Sequence, residues 1–566
     1  MDDDRLQAIE LLIERLHADY PTRGFKISPS IDFVHQSNSG VSVVAKKSIK
    51  KNDILLVIPD SARLHDRAVL PSSFVRRLRR DIEHQHYLTP SDYSLAVAIM
   101  KVLGRKANND RNDDIFSRQA STWPSEPSIK NSIFFYWDVA SVEKVWNRSG
   151  LFNVFEEVRT NVDSIFNNII YPNLRDSLDD YIDESLPSNQ DTATTPKDKL
   201  YNTFLYSLAL AYSRAHGGHD KDGPKGELVP LVELFNGHSD KIDLPIKKGK
   251  KNNEKSAINV HLASGKWPFV RGSVFRDECN LPCSAVYAIR DIDEGEELII
   301  SYGDVSATGF AFKYGFIPMD FLKHHNIMSD VSIFLDPKLI PSDKMRRKCL
   351  EKAGFPLYEF KHDKKLAIGT FGWRTDSVEH YKNGYDNEVI RSMRHFIIVG
   401  SCELMADELQ RNYSLGKLRG ALYDSEAFHR LHDLFDYNIE ILGGNATSAD
   451  DAAKASSPDT PSWEKCCLLA RIAYRESLLM WQRAVALKVK EAIGTAPMIA
   501  MQYDWEMPNL DMVPPFKGCQ VCGRSYPELK CTKCKSVGRV VQYCCRGHQV
   551  VDWKEHKRVC GKRLEL

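Results

Sequence analysis

The stretch CSAVYAIRDIDEGEELIISYG, residues 283–303, decides the fold class of the N-terminal half. Apolar and β-branched residues flank an Asp-Glu-Gly turn, and Ser-Tyr-Gly ends the stretch, which is typical of strand, turn and strand. The earlier stretch SGVSVVAKKSIKKNDILLVIP, residues 39–59, repeats this order around a Lys-Lys-Asn-Asp turn and ends at a proline. We therefore predict two hairpins that bracket the amphipathic segments between them.

The composition is that of a globular protein with several domains. The chain has 566 residues, of which 42% are hydrophobic and 27% charged, and this length corresponds to roughly three or four domains. Residues 1–24 place Leu6, Ile9, Ile13 and Leu16 at helical spacing before Pro21, so we predict an N-terminal amphipathic helix.

The acidic first residues do not resemble a secretory signal, and no apolar run approaches the ~18 residues that a membrane span needs. We therefore expect a protein of the cytosol or nucleus without membrane contact. Residues 517–566 contain 12 Lys+Arg against 4 Asp+Glu, whereas the rest of the chain is net negative. A basic segment of this size is more often a solvated surface than a nucleic-acid site, so we do not expect nucleic acid as a partner.

The C-terminal cysteines have the spacing of metal ligands. Seven of the thirteen cysteines lie between residues 519 and 560, and a reducing compartment argues against disulfides. Two CxxC pairs, one CxxxH and one HxxxC supply enough ligands for two tetrahedral Zn²⁺ ions. The eight candidate ligands are Cys519, Cys522, Cys531, Cys534, Cys544, His548, His556 and Cys560.

This segment resembles a MYND zinc finger, since Tyr543, Gln549 and Trp553 also stand at the family's positions. His548 replaces the usual cysteine, and Cys545 is the competing ligand. The resemblance implies two interleaved sites: the first holds Cys519, Cys522, Cys544 and His548, and the second holds Cys531, Cys534, His556 and Cys560. With all eight positions filled, both Zn²⁺ ions would be structural. The resemblance to MYND fingers also implies that this segment binds proline-containing peptides of partner proteins.

The region between the two ends is expected to be helical. After residue 385 the pattern becomes helical at 387–412 and 463–494, and GNATSADDAAKASSPDTP, residues 444–461, has the composition of a linker. We assign residues 321–500 to an all-α C-terminal domain, 501–516 to a linker and 517–560 to the finger.

Five pieces in order resemble a SET-domain protein methyltransferase. They are the opening segment at 40–59, Ser213-Arg214-Ala215, PLVELFNGHSD at 230–240, GEELIISYG at 295–303 and Tyr-Gly-Phe at 314–316. The resemblance covers residues 25–320 and includes a helical insertion at about 60–215, as in the branch that contains the Rubisco large-subunit and actin-histidine methyltransferases. It implies an α+β protein with a β-rich SET domain, a helical domain and a small double-zinc finger.

The resemblance also implies S-adenosylmethionine (SAM) as cofactor and a protein substrate, most simply a lysine side chain. Gly40, Val41 and Ser42 would lie against the methionine part of the cofactor, and Arg214 would pair with its carboxylate. Asn236 would hydrogen-bond the cofactor, while Gly237 would present backbone groups to the adenine. Tyr302 would be the catalytic residue, with its hydroxyl next to the methyl group in a narrow channel.

Three residues depart from the family pattern. Ser42 replaces a second glycine and would crowd the cofactor turn, Gly237 replaces a histidine, and Ala307 replaces an asparagine. Two alternatives therefore stay open. One is an inactive SET scaffold that serves as a MYND adaptor, and the other is a protein-histidine methyltransferase.

Overall fold

The computed structural model divides into two compact units. Unit 1 comprises residues 1–137, 156–305 and 312–315, and unit 2 comprises 138–155, 306–311 and 316–566. The structure describes residues 2–21, 24–36, 40–82, 88–107, 114–147, 149–183, 195–220, 223–238, 257–265, 283–303, 305–317, 331–334, 358–359, 366–371, 434–442, 448–479, 529–536, 541–543, 546, 549–550, 553, 556–557 and 560.

The strands of unit 1 form four small sheets. A four-stranded antiparallel sheet has the order β1 (Lys26–Ile27), β4 (Ile54–Pro59), β9 (Cys283–Ala288), β8 (Val260–Gly265). Three two-stranded sheets pair β2 (Ile31–Gln36) with β3 (Gly40–Ala45), β5 (His216–Asp220) with β6 (Gly223–Glu227), and β7 (Asn236–His238) with β10 (Ile299–Ser301). Only the last of these pairs is parallel among the described strands.

The four predicted strands at 39–59 and 283–303 are confirmed, but their pairing as hairpins is wrong. β3 pairs with β2, and β4 pairs with β9 on one side and β1 on the other. Five of the six residues of β4 are buried, as in a central strand, so it needs two partners. The two predicted turn regions instead bridge each other at Ile49 and Ile292.

Helices fill the region between β4 and β5, as the helical insertion predicted. They are α2 (Asp66–Val69), α3 (Ser72–Asp81), α4 (Pro90–Ala107), α5 (Ile115–Ser121), α6 (Glu126–Ser132), α7 (Val139–Trp146), α8 (Gly150–Ile165), α9 (Tyr171–Leu174) and α10 (Pro196–Arg214). Short 3₁₀ segments add residues 60–62, 134–136, 175–180 and 232–234, and a π-helical turn spans 166–170.

The longest of these helices, α10, has clear start and stop signals. Thr195 and Asp198 form a capping box, and Pro196 occupies the first turn, where its missing N–H costs nothing. The helix buries its central residues and ends at Arg214. The site residue Arg214 is therefore held by a rigid element.

The N-terminal helix α1 (Asp2–Asp19) belongs to the core of unit 1. Ile9, Leu12 and Leu16 are buried in the same cluster as Val43 and Val286 of the sheets. The predicted amphipathic helix is confirmed, and it ends just before Pro21. It is thus part of the unit that carries the candidate site.

The described part of unit 2 contains helices and two small sheets. The helices include α11 (Ala307–Tyr314), whose first part lies in this unit, residues 434–442 (α12), α13 (Ser448–Ser456), residues 462–479 (α14) and α15 (Thr532–Lys535). β11 (Val331–Phe334), β13 (Leu366–Phe371) and β12 (Tyr358–Glu359) pair in that order, and β14 (Leu529–Lys530) pairs with β15 (Gln542–Tyr543). The three-stranded sheet lies within residues 321–500, which were predicted to be all-α, so that prediction is wrong for these strands. Their short runs contain β-branched and aromatic residues, which favour strands, and they stand before the segments with a helical pattern.

The linker predicted at 444–461 is wrong for its central part, which forms α13. Asp451 is buried there and accepts hydrogen bonds from Arg471 at 2.8 Å and Arg475 at 3.1 Å. Buried charge pairing holds a polar segment that composition alone assigns to a linker. The predicted helix at 463–494 is seen over 462–479, whereas its remainder, the segment 387–412 and the linker 501–516 lie outside the described residues.

Within the described part of the chain, no helix is both long and apolar enough to cross a bilayer.

Candidate functional site

Tyr302 follows β10 and lies over the asparagine motif. Because β10 runs parallel to β7, the Tyr302 N–H donates to the His238 carbonyl at 2.9 Å, and its hydroxyl donates to the Phe235 carbonyl at a long 3.5 Å. Burial raises the pKa of Tyr302 to about 12, and the nearby Glu297 carboxylate adds to this rise while Arg214 opposes it. The phenol is therefore protonated at neutral pH.

Tyr314 stacks on Tyr302 with ring centroids 4.2 Å apart and planes at 16°. Burial also raises the pKa of the Tyr314 phenol. Gly315 follows in a left-handed conformation with φ of +73°, and a β-carbon there would overlap the Ser132 carbonyl. The catalytic candidate is thus backed by a second aromatic ring whose position α6 and Gly315 restrict.

Gly237 leaves the space that the Tyr302 ring fills. A β-carbon at Gly237 would lie 2.1 Å from two ring carbons of Tyr302. Any side chain at this position would displace the tyrosine or the strand. The departure from the family's histidine is therefore a requirement of this packing.

Asn236 joins three separate segments. Its side-chain amide donates to Ser42 Oγ at 2.9 Å and to Glu297 Oε1 at 2.7 Å. Ser42 is fully buried on β3, and the Glu297 segment pairs with the same strand through a bridge to Val44. The structure thus brings Ser42, Asn236 and Tyr302 together, although residues 42 and 302 are far apart in sequence.

Arg214 ends α10 with a hydrogen-bonding group unused. One terminal guanidinium nitrogen donates to the Glu233 carbonyl at 2.9 Å, whereas its Nε is buried and has no partner among the described residues. A buried guanidinium donor without an acceptor fits an anionic ligand such as the carboxylate of SAM. The chemistry of this residue therefore fits the cofactor that the family resemblance implies.

The Glu233 side chain is buried and close enough to Arg214 for the two charges to interact. One of its carboxyl oxygens accepts from Gln119 at 3.0 Å and from Trp123 at 3.1 Å, and burial raises its pKa. The preceding Leu231 has φ of +64°, an uncommon conformation for leucine. Local strain of this kind often accompanies functional sites.

Gly40 opens β3 with φ of +74°, a conformation that favours glycine. A β-carbon at Gly40 would lie 3.5 Å from a terminal guanidinium nitrogen of Arg5 in α1. The Nε of Arg5 donates to the Thr122 carbonyl at 2.7 Å. Val41 is buried beside it. Ala307, the third departure, is buried at the start of α11 within unit 2.

Four of the predicted metal ligands converge. The ligand atoms of Cys531, Cys534, His556 and Cys560 all lie within 4.8 Å of one another. The Cys531 and Cys560 sulfurs are 3.5 Å apart, and Cys534 Sγ is 3.6 Å from His556 Nε2. A Zn²⁺ tetrahedron with ~2.3 Å bonds to sulfur has edges of about 3.8 Å, so three sulfurs and one imidazole fit it.

The rest of the finger adds aromatic packing around His556. Trp553 stacks on the His556 ring at 5.7 Å, and Tyr543 contacts it edge-on at 6.1 Å. The other four candidate ligands, Cys519, Cys522, Cys544 and His548, lie outside the described residues.

Three solved structures are similar to this chain over most of its length. The SET domain of LSMT bound to lysine and AdoHcy has a TM-score of 0.52 and 14% sequence identity, and the similarity covers 89% of this chain and 98% of that chain. The same domain bound to methyllysine and AdoHcy has a TM-score of 0.53 and 15% identity, with the same coverage of 89% and 98%. Rubisco LSMT bound to AdoMet has a TM-score of 0.51 and 15% identity, and the similarity covers 86% of this chain and 93% of that chain. At this identity the similarity establishes the fold, which is that of the SET domain.

Residues 519–560 match the MYND finger family model. Over 42 residues the chain is 45% identical to Egl nine homolog 1 of Homo sapiens and of Mus musculus. This match covers 7% of the chain and spans only 9–10% of the length of these relatives. The chain therefore combines a SET fold with a MYND-type finger, and both predicted resemblances are confirmed.

Four features of the site were not predicted from the sequence, namely Arg5, Glu233, Glu297 and the stacking role of Tyr314. Glu233 stands three residues before Asn236, and Glu297 lies in the same Gly-Glu-Glu-Leu stretch that marks the strand before Tyr302. Their positions within these two motifs could have marked both glutamates as candidate site residues. Their partners became visible only in three dimensions.

Proposed function

We propose that this protein is a SAM-dependent protein N-methyltransferase that acts on lysine side chains. The observation that carries the proposal is the convergence of Ser42, Asn236 and Tyr302 in unit 1. Arg214 bonds to the Glu233 carbonyl of the same asparagine motif, and its Nε has no partner among the described residues. Further support comes from the shared fold, since two of the similar structures contain AdoHcy with lysine or methyllysine and the third contains AdoMet.

In this proposal each polar residue holds one part of the cofactor. Arg214 pairs with the carboxylate, Asn236 hydrogen-bonds the amino-acid end, and residues 40–42 and 237 contribute backbone contacts. When bound, SAM supplies a methyl group on a sulfonium, which transfers to nitrogen by in-line displacement. The protein therefore has to bind the cofactor, align the acceptor nitrogen with the methyl group and exclude water.

Tyr302 is proposed to orient the acceptor nitrogen. Its raised pKa of about 12 keeps it protonated, so it is no base at neutral pH. Its long hydrogen bond to the Phe235 carbonyl leaves the phenol oxygen able to accept from an incoming amine. The lysine loses its proton before attack, and the buried, apolar surroundings favour the neutral amine.

The test combines cofactor binding with methyl transfer. Full-length protein is titrated with SAM by calorimetry and then incubated with labelled SAM and cell-extract proteins, with modified residues located by mass spectrometry. We expect 1:1 SAM binding and methyllysine, and loss of transfer in Tyr302→Phe with SAM binding kept. Wild type that binds SAM without any transfer would support the adaptor alternative, and methylhistidine would replace lysine as the acceptor.

We propose that the finger holds two structural Zn²⁺ ions and recruits partner proteins through proline-containing peptides, within the cytosol or nucleus. Support comes from two exposed apolar side chains of the finger, since Val550 is 57% and Trp553 47% exposed, and Trp553 stacks on the ligand His556. Exposed aromatic and aliphatic side chains are suited to proline-rich segments. Trp553→Ala should weaken capture of a proline-containing peptide library without loss of zinc.

A further inference from the structure

The side-chain amide of Asn236 has both of its N–H groups occupied. One donates to Ser42 Oγ at 2.9 Å and the other to Glu297 Oε1 at 2.7 Å. If the amide were turned by half a rotation, its oxygen would face a carboxylate oxygen at this short distance with no proton between them. The two acceptors therefore dictate which way the amide points.

We infer that Ser42 and Glu297 are positioning residues that fix the Asn236 amide with its Oδ1 toward the cofactor. The inference rests on the proposed function and deepens it by assigning a role to a residue in which this chain departs from the family pattern. Ser42 Oγ forms the contact, and a glycine at that position has no such atom. The serine is thus a substitute that supports the asparagine, not an obstacle to the cofactor.

The orientation determines what Asn236 can bind. The remaining polar group of its side chain is the carbonyl oxygen Oδ1, which accepts hydrogen bonds and cannot donate them. The amino-acid end of SAM offers a carboxylate and an α-ammonium. The guanidinium of Arg214 suits the carboxylate, so the Asn236 oxygen is left to accept from the ammonium.

The burial of the three groups explains why the arrangement would hold. Ser42 has no exposed surface, and Asn236 and Glu297 are half-buried. The backbone around Glu297 is also fixed, because its carbonyl accepts from the Asn259 side chain at 2.7 Å and the Leu298 N–H donates to the Val43 carbonyl at 2.8 Å. The fixed backbone and the hydrogen bond from the Asn236 amide together restrict where this carboxylate can lie.

The first measurement is the calorimetric dissociation constant of S-adenosylhomocysteine (SAH) for the full chain. Ser42→Ala and Ser42→Gly should each weaken binding by about 3- to 10-fold, which is the range for one neutral hydrogen bond. If Ser42 only crowded the cofactor turn, Ser42→Gly would tighten binding, and that result would overturn the inference. The matched control is Ser284→Ala, which changes a buried serine of the same unit on β9, a strand that pairs with β4 and β8, and it should leave the constant unchanged.

A double-mutant cycle separates positioning from general packing. In an Asn236→Ala background, Ser42→Ala should cause no further loss of SAH affinity, because there is no amide left to orient. An equal loss in both backgrounds would overturn the inference. Thermal midpoints of all variants show whether each one is folded.

The second ligand is the analogue of SAH that lacks the α-amino group. It cannot donate to Asn236 Oδ1, so wild type and Ser42→Ala should bind it equally. A Ser42→Ala penalty that persists with this analogue would contradict the assigned partner. If wild type binds neither SAH nor SAM, both the inference and the proposed function fall, whereas tight wild-type binding that Ser42→Ala leaves unchanged overturns the inference alone.

Discussion

The ring of Tyr302 lies against the backbone of Gly237, so close that a β-carbon there would come within 2.1 Å of two ring carbons. Tyr314 covers the ring on another side at a centroid distance of 4.2 Å. The tyrosine has little room to move away from a new side chain. The glycine and the tyrosine therefore form one packing unit.

Gly237→Ala should displace Tyr302 and reduce methyl transfer more than tenfold. The added methyl group overpacks the strand pair and should cost about 1–3 kcal/mol of folding free energy. The matched control is Gly217→Ala, since a β-carbon at Gly217 would meet no atom of the described residues within 4 Å. Activity and thermal midpoint are measured for both variants, and equal behaviour of the two would refute the packing argument.

The pH dependence of methyl transfer should report the acceptor and not Tyr302. Burial, with Glu297 nearby, raises the pKa of Tyr302 to about 12, so this phenol stays protonated up to pH 10. With a lysine peptide at limiting concentration, the rate should rise about tenfold per unit between pH 7 and 9, because the neutral amine is the nucleophile and free lysine has a pKa of ~10.4. A plateau near pH 7 would indicate a histidine acceptor.

Glu296 should stabilise unit 1 in a pH-dependent way. Hydrogen bonds from Arg290 lower the pKa of Glu296 from 4.5 to about 2, so the folded state favours its charged form. This stability is complete above pH 4.5 and is lost as the pH falls toward 2. Since Glu296 is 26% exposed, we expect about 1–2 kcal/mol at pH 7.

The comparison is between wild type and Glu296→Gln in urea unfolding at pH 7 and pH 3. The variant should be less stable at pH 7, and the difference should shrink at pH 3, where the wild-type contribution is largely lost. Glu294→Gln, an exposed glutamate of the same turn, serves as control. A difference that is the same at both pH values would show that Glu296 acts through packing alone.

Metal analysis should find two zinc ions per chain. Cys534→Ser or His556→Ala removes a ligand of the described cluster and should release one ion. Cys545→Ser should keep both ions if His548 is a ligand, while His548→Ala should reduce the content. If Cys545→Ser lost zinc and His548→Ala kept both ions, Cys545 would be the ligand instead of His548.

A feature could be predicted from the sequence when the residues that form it are close together along the chain. The metal ligands are close in sequence, so their spacing indicates the site, and the cluster around Cys531 has the expected composition. The strand at 54–59 was recognisable from its residues, but its partners were not, because one of them, β9, lies more than two hundred residues away in the sequence and the other, β1, has only two residues. Local pattern predicts an element and leaves its neighbours open.

The candidate site shows the same limit in its departures from the family pattern. The sequence allows glycine at 237 only as a tolerated change, whereas the Tyr302 ring makes it necessary. Ser42 stands out as a misplaced residue until its hydrogen bond to Asn236 is seen. In the same way, Asp451 reads as part of a linker until Arg471 and Arg475 are placed around it.

The central claim is that Arg214, Asn236 and Tyr302 surround a sulfonium cofactor, and a calorimetric titration of the full chain with SAM tests it most directly. We expect one molecule bound per chain and at least tenfold weaker binding in Arg214→Met, because a buried charge-assisted contact to the carboxylate is lost. Absence of binding to the folded wild-type protein, or equal affinity in Arg214→Met, would contradict the account.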